Sequence, residues 1–189
     1  MIALRQQTDP SWIQLAVARF DAVLQDHAHC EKKAAAHALS LLTSYPQLPG
    51  LPRAMAALAR EEAQHLSQVV QLLEKRGITL GRDEGDPYAK ALYAHVRTSN
   101  PGRMMDLLLV SALIEARSEE RLRLLSENLP EPELRAFYRE LALAEAGHSN
   151  LFVKLAQRAA PEEVDARLSE LLDLEAKLIR ELPVRAAVH

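Results

Sequence analysis

Hydrophobic residues recur along most of the chain at alternating steps of three and four positions, and this spacing predicts amphipathic helices. No segment alternates apolar and polar residues convincingly with a period of two, so the pattern indicates no strand. Both features predict an all-α protein. The predicted helices lie near residues 10–45, 51–76, 87–98, 101–128, 132–158 and 161–181.

Most predicted helices begin at a residue pair that ends in proline. Proline loses no needed hydrogen bond at the first helical position, and a preceding Asp or Asn can cap the first turn. The segment YPQLPGLP predicts a turn after the first helix, and GITLGRDEGD, which begins at Gly77, predicts a linker after the second. The proline pairs are Asp9-Pro10, Asp86-Pro87, Asn100-Pro101, Glu131-Pro132 and Ala160-Pro161.

The composition fits one helical domain over residues 1–189, with a C-terminal helix at about 161–181 packing on a bundle. Of the 189 residues, 48% are hydrophobic and only 6 are glycine, which favours helix over sheet. The single Cys30 forms no internal disulfide, and no signal peptide or membrane-spanning run is evident, so we expect a cytoplasmic protein without membrane association. The net charge of −3 argues against a generic nucleic-acid coat protein. No Walker or dinucleotide-binding glycine loop is present.

A Glu-x-x-His motif occurs twice, as Glu62 to His65 in EEAQH and as Glu145 to His148 in AEAGH. Two occurrences are weak evidence alone, because chance placement of 18 glutamates and 7 histidines gives roughly 0.7 such pairs. Their positions relative to the predicted turns therefore have to decide whether the two motifs are functional or arise by chance.

Both motifs have a glutamate at the equivalent height of the preceding helix. In an antiparallel hairpin, residues equidistant from the turn lie level, because each residue advances about 1.5 Å along its helix. The turn centres are chosen with the glutamates in view, so this is a test of consistency. The level pairs are Glu31 with Glu62 about Pro46-Gln47, and Glu115 with Glu145 about Pro130.

All four glutamates occupy positions where an apolar stripe would place a core residue. We therefore expect the four carboxylates to face one core. The stripes are Leu24, Ala28, Glu31, Ala35, Ala38 and Leu42; Met55, Leu58, Glu62, His65, Val69 and Leu72; Leu108, Ala112, Glu115, Glu119, Leu122 and Leu125; and Tyr138, Leu141, Glu145, His148, Phe152 and Leu155.

Four carboxylates in one core would repel each other and lose hydration, at a cost of several kcal/mol per ion. Two divalent metal ions would balance the four negative charges, and two neutral imidazoles would complete the coordination. A Glu from each of two helices plus Glu-x-x-His from each of two others is typical of ferritin-like di-iron and di-manganese bundles. The sequence thus predicts a ferritin-like four-helix bundle with additional helices, whose metal ligands are Glu31, Glu62, His65, Glu115, Glu145 and His148.

The ligand types leave the metal and the reaction open. Manganese suits them as well as iron, and a ferritin-like or rubrerythrin-like oxidase, peroxidase or iron-storage protein stays an alternative. A metal-free interaction module with surface glutamates is a further one. His27, one turn before Glu31, could line the site, and Glu119 is an alternative ligand. Arg117 and Arg121 could orient carboxylates.

Three stretches resemble the bacterial tRNA 2-methylthio-isopentenyladenosine hydroxylase family: DHAHCEKKAAAHALSL at 26–41, REEAQHLSQVVQLLEKRGI at 60–78 and LLLVSALIEARSEER at 107–121. The resemblance covers about residues 9–158 in the same order and with similar spacing. HCEKKAA and IEARS carry it more specifically than Glu-x-x-His does. AEAGH departs from the family, in which we expect arginine in place of Gly147, so the resemblance assigns that position no phosphate-binding or supporting role.

The resemblance implies an O₂-dependent di-iron monooxygenase that hydroxylates the isopentenyl group of 2-methylthio-N6-isopentenyladenosine next to the anticodon of tRNA. The implied cofactor is two iron ions, and the implied partners are tRNA and an external electron donor of the ferredoxin/reductase type. The six predicted ligands would also be the catalytic residues, acting through the metal. The implied roles are terminal ligands for Glu31 and Glu115, bridging or partly bridging ligands for Glu62 and Glu145, and nitrogen ligands for His65 and His148.

A local excess of basic residues between positions 75 and 103 indicates where tRNA could bind. Lysine and arginine outnumber acidic residues by three in this window, although an ordinary solvated surface explains any single residue equally well. We also assign Lys32 and Lys33 to the surface or to RNA. The basic residues of the window are Lys75, Arg76, Arg82, Lys90, Arg97 and Arg103.

Overall fold

The computed structural model describes residues 2–189, which form seven α-helices and no strand. Within this range no helix is both long enough and apolar enough to cross a membrane. The all-α class predicted from the hydrophobic spacing is confirmed. The helices are α1 (Pro10–Ala18), α2 (Phe20–Ser44), α3 (Leu51–Lys75), α4 (Pro87–Tyr93), α5 (Gly102–Asn128), α6 (Pro132–Ala159) and α7 (Val164–Glu181).

The first predicted helix is two helices in the structure, so its prediction as one continuous helix was wrong. Arg19 has φ −121° and ψ 39°, outside the helical region, and α2 begins at the next residue. The packing partner changes at this break. The Arg121 guanidinium of α5 lies 5.1 Å from the centroid of the Trp12 ring, whereas Arg76, at the end of α3, lies 5.3 Å from that of Phe20. No glycine or proline marks the break, so local sequence gives no sign of it.

The pairs that end in proline mark some helix starts better than others. Asp86 caps α4 as expected, because its Oδ1 accepts a hydrogen bond from the Ala89 N–H over 2.9 Å. The prediction was wrong for Ala160-Pro161, since α7 begins only at Val164. Alanine has no side-chain oxygen to cap a first turn. The α4 helix also ends at Tyr93, five residues earlier than predicted.

The described contacts divide the chain into two compact units. The α2–α3 unit comprises residues 14–85 and 185–188. The α5–α6 unit comprises the residues up to Ile13, residues 86–184 and residue 189, and contains α4 to α7. The interpretation of residues 1–189 as one domain stays a prediction.

The α2–α3 unit is built on a helical hairpin. The turn between the two helices ends at Gly50, whose φ of +85° lies in the left-handed region that glycine adopts without strain. The linker that follows α3 returns to α2, where Gln25 Oε1 accepts from the Gly81 N–H at 3.0 Å. His29 Nε2 lies 3.1 Å from the Gly81 carbonyl oxygen. His29 is therefore a packing residue that anchors the linker.

The α5–α6 unit is held together by a buried arginine. The Arg117 side chain is fully buried and donates to Glu175 of α7 at 2.6 Å, to the carboxylate of Glu120 and to the carbonyl oxygen of Gln6 at 2.7 Å. The Thr8 N–H also donates to Glu120 at 3.0 Å. These bonds tie α7 and the segment before α1 to α5, so Arg117 orients structural carboxylates.

Asp106, near the start of α5, is fully buried and accepts hydrogen bonds from two arginines. Arg97 donates from its backbone N–H at 2.9 Å, and its Nη2 donates at 3.0 Å. Arg167 of α7 donates from Nε and Nη2, both at 3.0 Å. Replacing Asp106 with asparagine removes the charge shared by both guanidinium groups, so we expect the free energy of unfolding to fall by about 2–3 kcal/mol. Urea denaturation at neutral pH measures the loss, and Asp165→Asn, an exposed change on α7, is the control.

The free energies of unfolding of wild type and Asp106→Asn should converge at acid pH. Burial would raise the pKa of Asp106, but the hydrogen bonds from Arg167 and Arg97 outweigh it and hold the pKa below the ordinary value of 3.8. A lowered carboxyl pKa stabilises the fold above the unfolded-state pKa of about 4, and this contribution is lost as the pH falls through the lowered pKa. A stability difference between wild type and Asp106→Asn that did not shrink on acidification would contradict this account.

Candidate metal centre

Glu31, Glu62 and His65 come together in the α2–α3 unit. Nδ1 of His65 lies 3.3 Å from Oε2 of Glu62 and 3.7 Å from Oε2 of Glu31. Each residue offers a possible ligand atom within 4.8 Å of those of the other two. All three are buried, and we call them the α2–α3 cluster.

Helical spacing explains how the sequence builds the α2–α3 cluster. Glu62 and His65 are three residues apart on α3, so they share one face of the helix. Leu58 and Val69 continue this face on either side and are buried with them. Glu31 lies on the buried face of α2. The level pairing predicted for Glu31 and Glu62 agrees with their common contact to His65.

The α2–α3 cluster holds a proton on its histidine when no metal is bound. Burial disfavours the imidazolium, but the hydrogen bonds and negative charges of Glu31 and Glu62 outweigh it and raise the pKa of His65 to about 10. The charged ring offsets one of the two carboxylates at neutral pH. A metal ion has to displace this proton, because a ring nitrogen binds metal only in the neutral imidazole.

Glu115, Glu145 and His148 form the corresponding group in the α5–α6 unit. Their possible ligand atoms lie within 4.8 Å of one another, and His148 Nδ1 is 3.4 Å from Oε2 of Glu145. All three are buried. The Ser149 hydroxyl donates to the carbonyl oxygen of Ala112 at 2.9 Å, which fixes α6 against α5 next to His148. We call the three residues the α5–α6 cluster.

Each of the two clusters has the same donor set, which consists of two carboxylates and one imidazole. Oxygen donors with a single nitrogen suit Fe²⁺ and Mn²⁺, whereas the set lacks the thiolates that favour softer metals. Glu62 is fully buried and the other three glutamates are at most 7% exposed. The premise of a metal-free module with surface glutamates was therefore wrong. The donor atoms of both clusters therefore suit bound divalent metal ions.

His27, which the sequence indicated as a residue that could line the site, contacts a member of the α2–α3 cluster. Its Nε2 lies 2.7 Å from Oε1 of Glu31, and the residue is only 1% exposed. The spacing of four residues placed His27 on the same face as Glu31, but spacing does not show where a side chain ends.

In the α5–α6 unit, burial raises the pKa of Tyr93 to about 12, and the nearby charge of Glu115 acts in the same direction.

Other predicted neighbours have different partners. Glu119 is less buried than Glu115 and lies 3.3 Å from Arg123. Lys32 and Lys33 lie 3.2 and 3.6 Å from the carboxylate oxygens of Asp83. Lys32 is exposed, as its assignment to the surface expects, whereas Lys33 is half-buried and its Nζ is buried.

Two of the six basic residues between positions 75 and 103 have structural roles. Arg76 pairs with Asp21 at 2.8 Å, and Arg97 is held by Asp106 as described above. The other four are exposed; they are Lys75, Arg82, Lys90 and Arg103.

Gly147, the departure within AEAGH, lies on an exposed face of α6. A Cβ atom added there would meet no atom within 4 Å. The structure therefore shows no close packing that requires glycine at this position.

Comparisons with known proteins connect these clusters to one family. A sequence model of the family described as tRNA-(MS[2]IO[6]A)-hydroxylase (MiaE) matches residues 1–189. Two curated relatives are named tRNA 2-(methylsulfanyl)-N(6)-isopentenyladenosine(37) hydroxylase. The Pseudomonas putida protein is 41% identical over 165 residues, which are 87% of this chain and 80% of that protein. The Salmonella typhimurium protein is 37% identical over 125 residues, 66% of this chain and 46% of that protein.

A solved structure from Synechococcus is similar over the whole chain. It is described as a protein with aldehyde deformylating oxygenase activity, is 39% identical, and matches with a TM-score of 0.93 over 100% of this chain and 96% of its own. The chain therefore has a ferritin-like fold, which confirms the fold class predicted from the paired motifs.

Proposed function

The chain belongs to the tRNA-(MS[2]IO[6]A)-hydroxylase family, and we propose that it is an O₂-dependent monooxygenase acting on tRNA. The substrate group is the isopentenyl side chain of 2-methylthio-N6-isopentenyladenosine next to the anticodon. The observation that carries this proposal is the family match over residues 1–189. A tRNA substrate would place the activity in the cytoplasm.

The proposed cofactor is a pair of iron ions, and its proposed ligands are the residues of the α2–α3 cluster and of the α5–α6 cluster. Support comes from their identical donor sets and from charge, because two divalent cations balance four buried carboxylates that would otherwise repel each other. Glu31 and Glu115 would be terminal ligands, and Glu62 and Glu145 would bridge or partly bridge. His65 and His148 would supply the nitrogen ligands. These roles extend the ferritin-like pattern of a Glu and a Glu-x-x-His in each hairpin.

The reaction requires both oxygen and electrons. One oxygen atom of O₂ enters a C–H bond to give C–OH, and the other leaves as water with two electrons and two protons supplied from outside. When bound, the iron pair supplies the activation of O₂ that amino-acid side chains cannot provide.

The protein's own residues prepare the site for this chemistry. The six ligands fix the metal positions, and their burial keeps bulk water away from the reacting atoms. His65 gives up its proton when metal is loaded. A single cysteine, Cys30, cannot build an iron–sulfur centre, so the electrons are expected from an external donor of the ferredoxin/reductase type.

We assign tRNA recognition to the exposed basic residues between positions 75 and 103. Arg76 and Arg97 are left out, because they pair with Asp21 and Asp106. Lysine and arginine side chains at a surface bind backbone phosphates, and a modified base unstacked from its neighbours could then reach the metal pair. The four proposed phosphate contacts are Lys75, Arg82, Lys90 and Arg103.

Aldehyde deformylation is the second candidate, because the Synechococcus protein is similar over the full length of this chain. The same metal pair could activate O₂ for either reaction, so the ligands do not separate the two. The substrate does. The purified, iron-loaded protein supplied with reductant is therefore compared on substrate tRNA and on an aldehyde.

Nucleoside analysis of cellular tRNA tests the main proposal. Cells that lack the gene should accumulate 2-methylthio-N6-isopentenyladenosine, and cells complemented with the chain should convert it to the hydroxylated nucleoside. Equal amounts of the hydroxylated nucleoside with and without the chain would refute tRNA hydroxylation. Turnover of the aldehyde alone would support the second candidate.

A further inference from the structure

His27 and Glu31 form a buried pair that the family match and the ligand pattern do not account for. Their contact of 2.7 Å joins Nε2 of His27 to Oε1 of Glu31. An ionised carboxylate only accepts hydrogen bonds, so Nε2 carries the hydrogen and donates it. The exposed fractions of 1% for His27 and 4% for Glu31 exclude most competition from water.

The two oxygens of Glu31 therefore have separate partners. Oε1 accepts from His27, whereas Oε2 is the oxygen that faces His65, at 3.7 Å from Nδ1. A carboxylate held in this way presents one oxygen to the rest of the α2–α3 cluster. Hydrogen bonds from outside the ligand set commonly fix the orientation of metal-binding carboxylates, and their loss typically weakens metal binding by about 10–100-fold.

The α5–α6 cluster has no histidine in the equivalent position. Ser111 lies one turn before Glu115, as His27 does before Glu31, and its hydroxyl donates to the carbonyl oxygen of Leu107 at 2.8 Å. The ligands of the two clusters are alike, but the residues one turn before the first glutamate differ. Any effect of His27 should therefore fall on one of the two metal positions.

We propose that His27 is a positioning residue that restricts Glu31 to one metal-binding oxygen and so makes the two metal positions inequivalent. The inference rests on the proposed di-iron centre. A carboxylate that offers one oxygen would take up one coordination position of a bound metal ion, whereas a carboxylate that offers both would take up two. His27 would act through Glu31 and is not one of the six proposed ligands.

Two substitutions of similar size separate the hydrogen bond from the shape of the side chain. His27→Gln keeps an N–H donor near the place of Nε2, and His27→Leu removes it. The control is His29→Leu, because His29 lies on the same helix and is buried but contacts the linker at Gly81. Far-UV circular dichroism of the metal-free proteins checks that each is folded, and His27→Ala replaces His27→Leu if the latter is not.

Metal binding is measured by anaerobic calorimetric titration of each metal-free protein with Fe²⁺. Wild type, His29→Leu and His27→Gln should bind two ions with similar affinities. His27→Leu should bind one of the two ions about tenfold more weakly or worse. Unchanged binding of both ions by His27→Leu would overturn the inference, and so would an equal loss in His27→Gln or in His29→Leu.

Cobalt substitution gives a second measurement that does not depend on activity. The visible absorption of high-spin Co²⁺ weakens as its coordination number rises. In His27→Leu, Glu31 is free to bind through both oxygens, so we expect a weaker band than in wild type, with His27→Gln restoring it. Identical spectra in all three proteins would count against the inference. Failure of wild type to bind two ions would overturn the di-iron proposal together with it, whereas a failure confined to the His27 variants leaves that proposal standing.

Discussion

Glu62→Gln is expected to lower tRNA hydroxylation at least about a hundredfold, equivalent to about 2.7 kcal/mol of transition-state free energy. Glutamine has nearly the same shape but carries no charge, and its NH₂ group cannot bind a cation. Glu62 is fully buried and lies 3.3 Å from His65, so no solvent-exposed group can take its place. Single-turnover hydroxylation of substrate tRNA measures the loss of activity, and the iron content per chain measures the loss of bound metal.

The neighbouring glutamate supplies the control for this prediction. Glu61 precedes Glu62 on α3 but is exposed, so Glu61→Gln makes the same chemical change outside the cluster. We expect its activity and its iron content to stay within about twofold of wild type, because exposed charges contribute little. If both variants kept their iron and their activity, the assignment of Glu62 as a ligand would be wrong.

Metal binding should also raise the melting temperature strongly. An ion present at a hundred times its dissociation constant stabilises the folded state by about 2.7 kcal/mol, so two ions contribute about 5 kcal/mol. For a chain of this size each kcal/mol raises the melting temperature by about 2–4 °C, and the expected increase is therefore about 10–20 °C. Differential scanning calorimetry with and without Mn²⁺ measures it, and Glu62→Gln should show less than half of the increase. A melting temperature indifferent to metal in wild type would contradict a dinuclear site.

The metal affinity should rise with pH because of His65. Its pKa of about 10 lies above the ordinary value of 6.5, so in the metal-free protein its contribution to stability is complete below pH 6.5 and is lost as the pH rises through about 10. Metal has to displace the same proton. The affinity for Mn²⁺ should therefore increase by up to about tenfold per pH unit between these limits. Titrations in two buffers of different ionisation enthalpy count the proton released, and a pH-independent affinity would contradict the mechanism.

The helices and the carboxylate positions were predictable because they depend on short-range regularities. The spacing of Glu62 and His65 on one helix fixes their common face wherever that helix packs. Reflection through a turn works for Glu31 because the rise per residue is constant. The contact of both glutamates with His65 agrees with this reasoning. Assignment of a particular reaction needed more, since the same ligands serve several oxygen-dependent activities, and it came from HCEKKAA and IEARS.

The errors arose where packing overrides local preference. The break at Arg19 has no glycine or proline to announce it, and it coincides with a change of packing partner from α5 to α3. Arg117, which the sequence placed as a possible partner of the ligands, instead joins Glu120 and Glu175. Glu175 comes from a helix far along the chain, so no local pattern could have paired it with Arg117.

The sequence by itself determined the helical class, the duplicated Glu and Glu-x-x-His pattern, and the family, because periodicity and motif spacing depend only on the order of the residues. Only the tertiary structure decided which side chains support the clusters. It directs His27 onto Oε1 of Glu31 and buries Asp106 between two arginines. These contacts depend on side-chain direction and on residues distant along the chain, and neither is encoded in helical spacing.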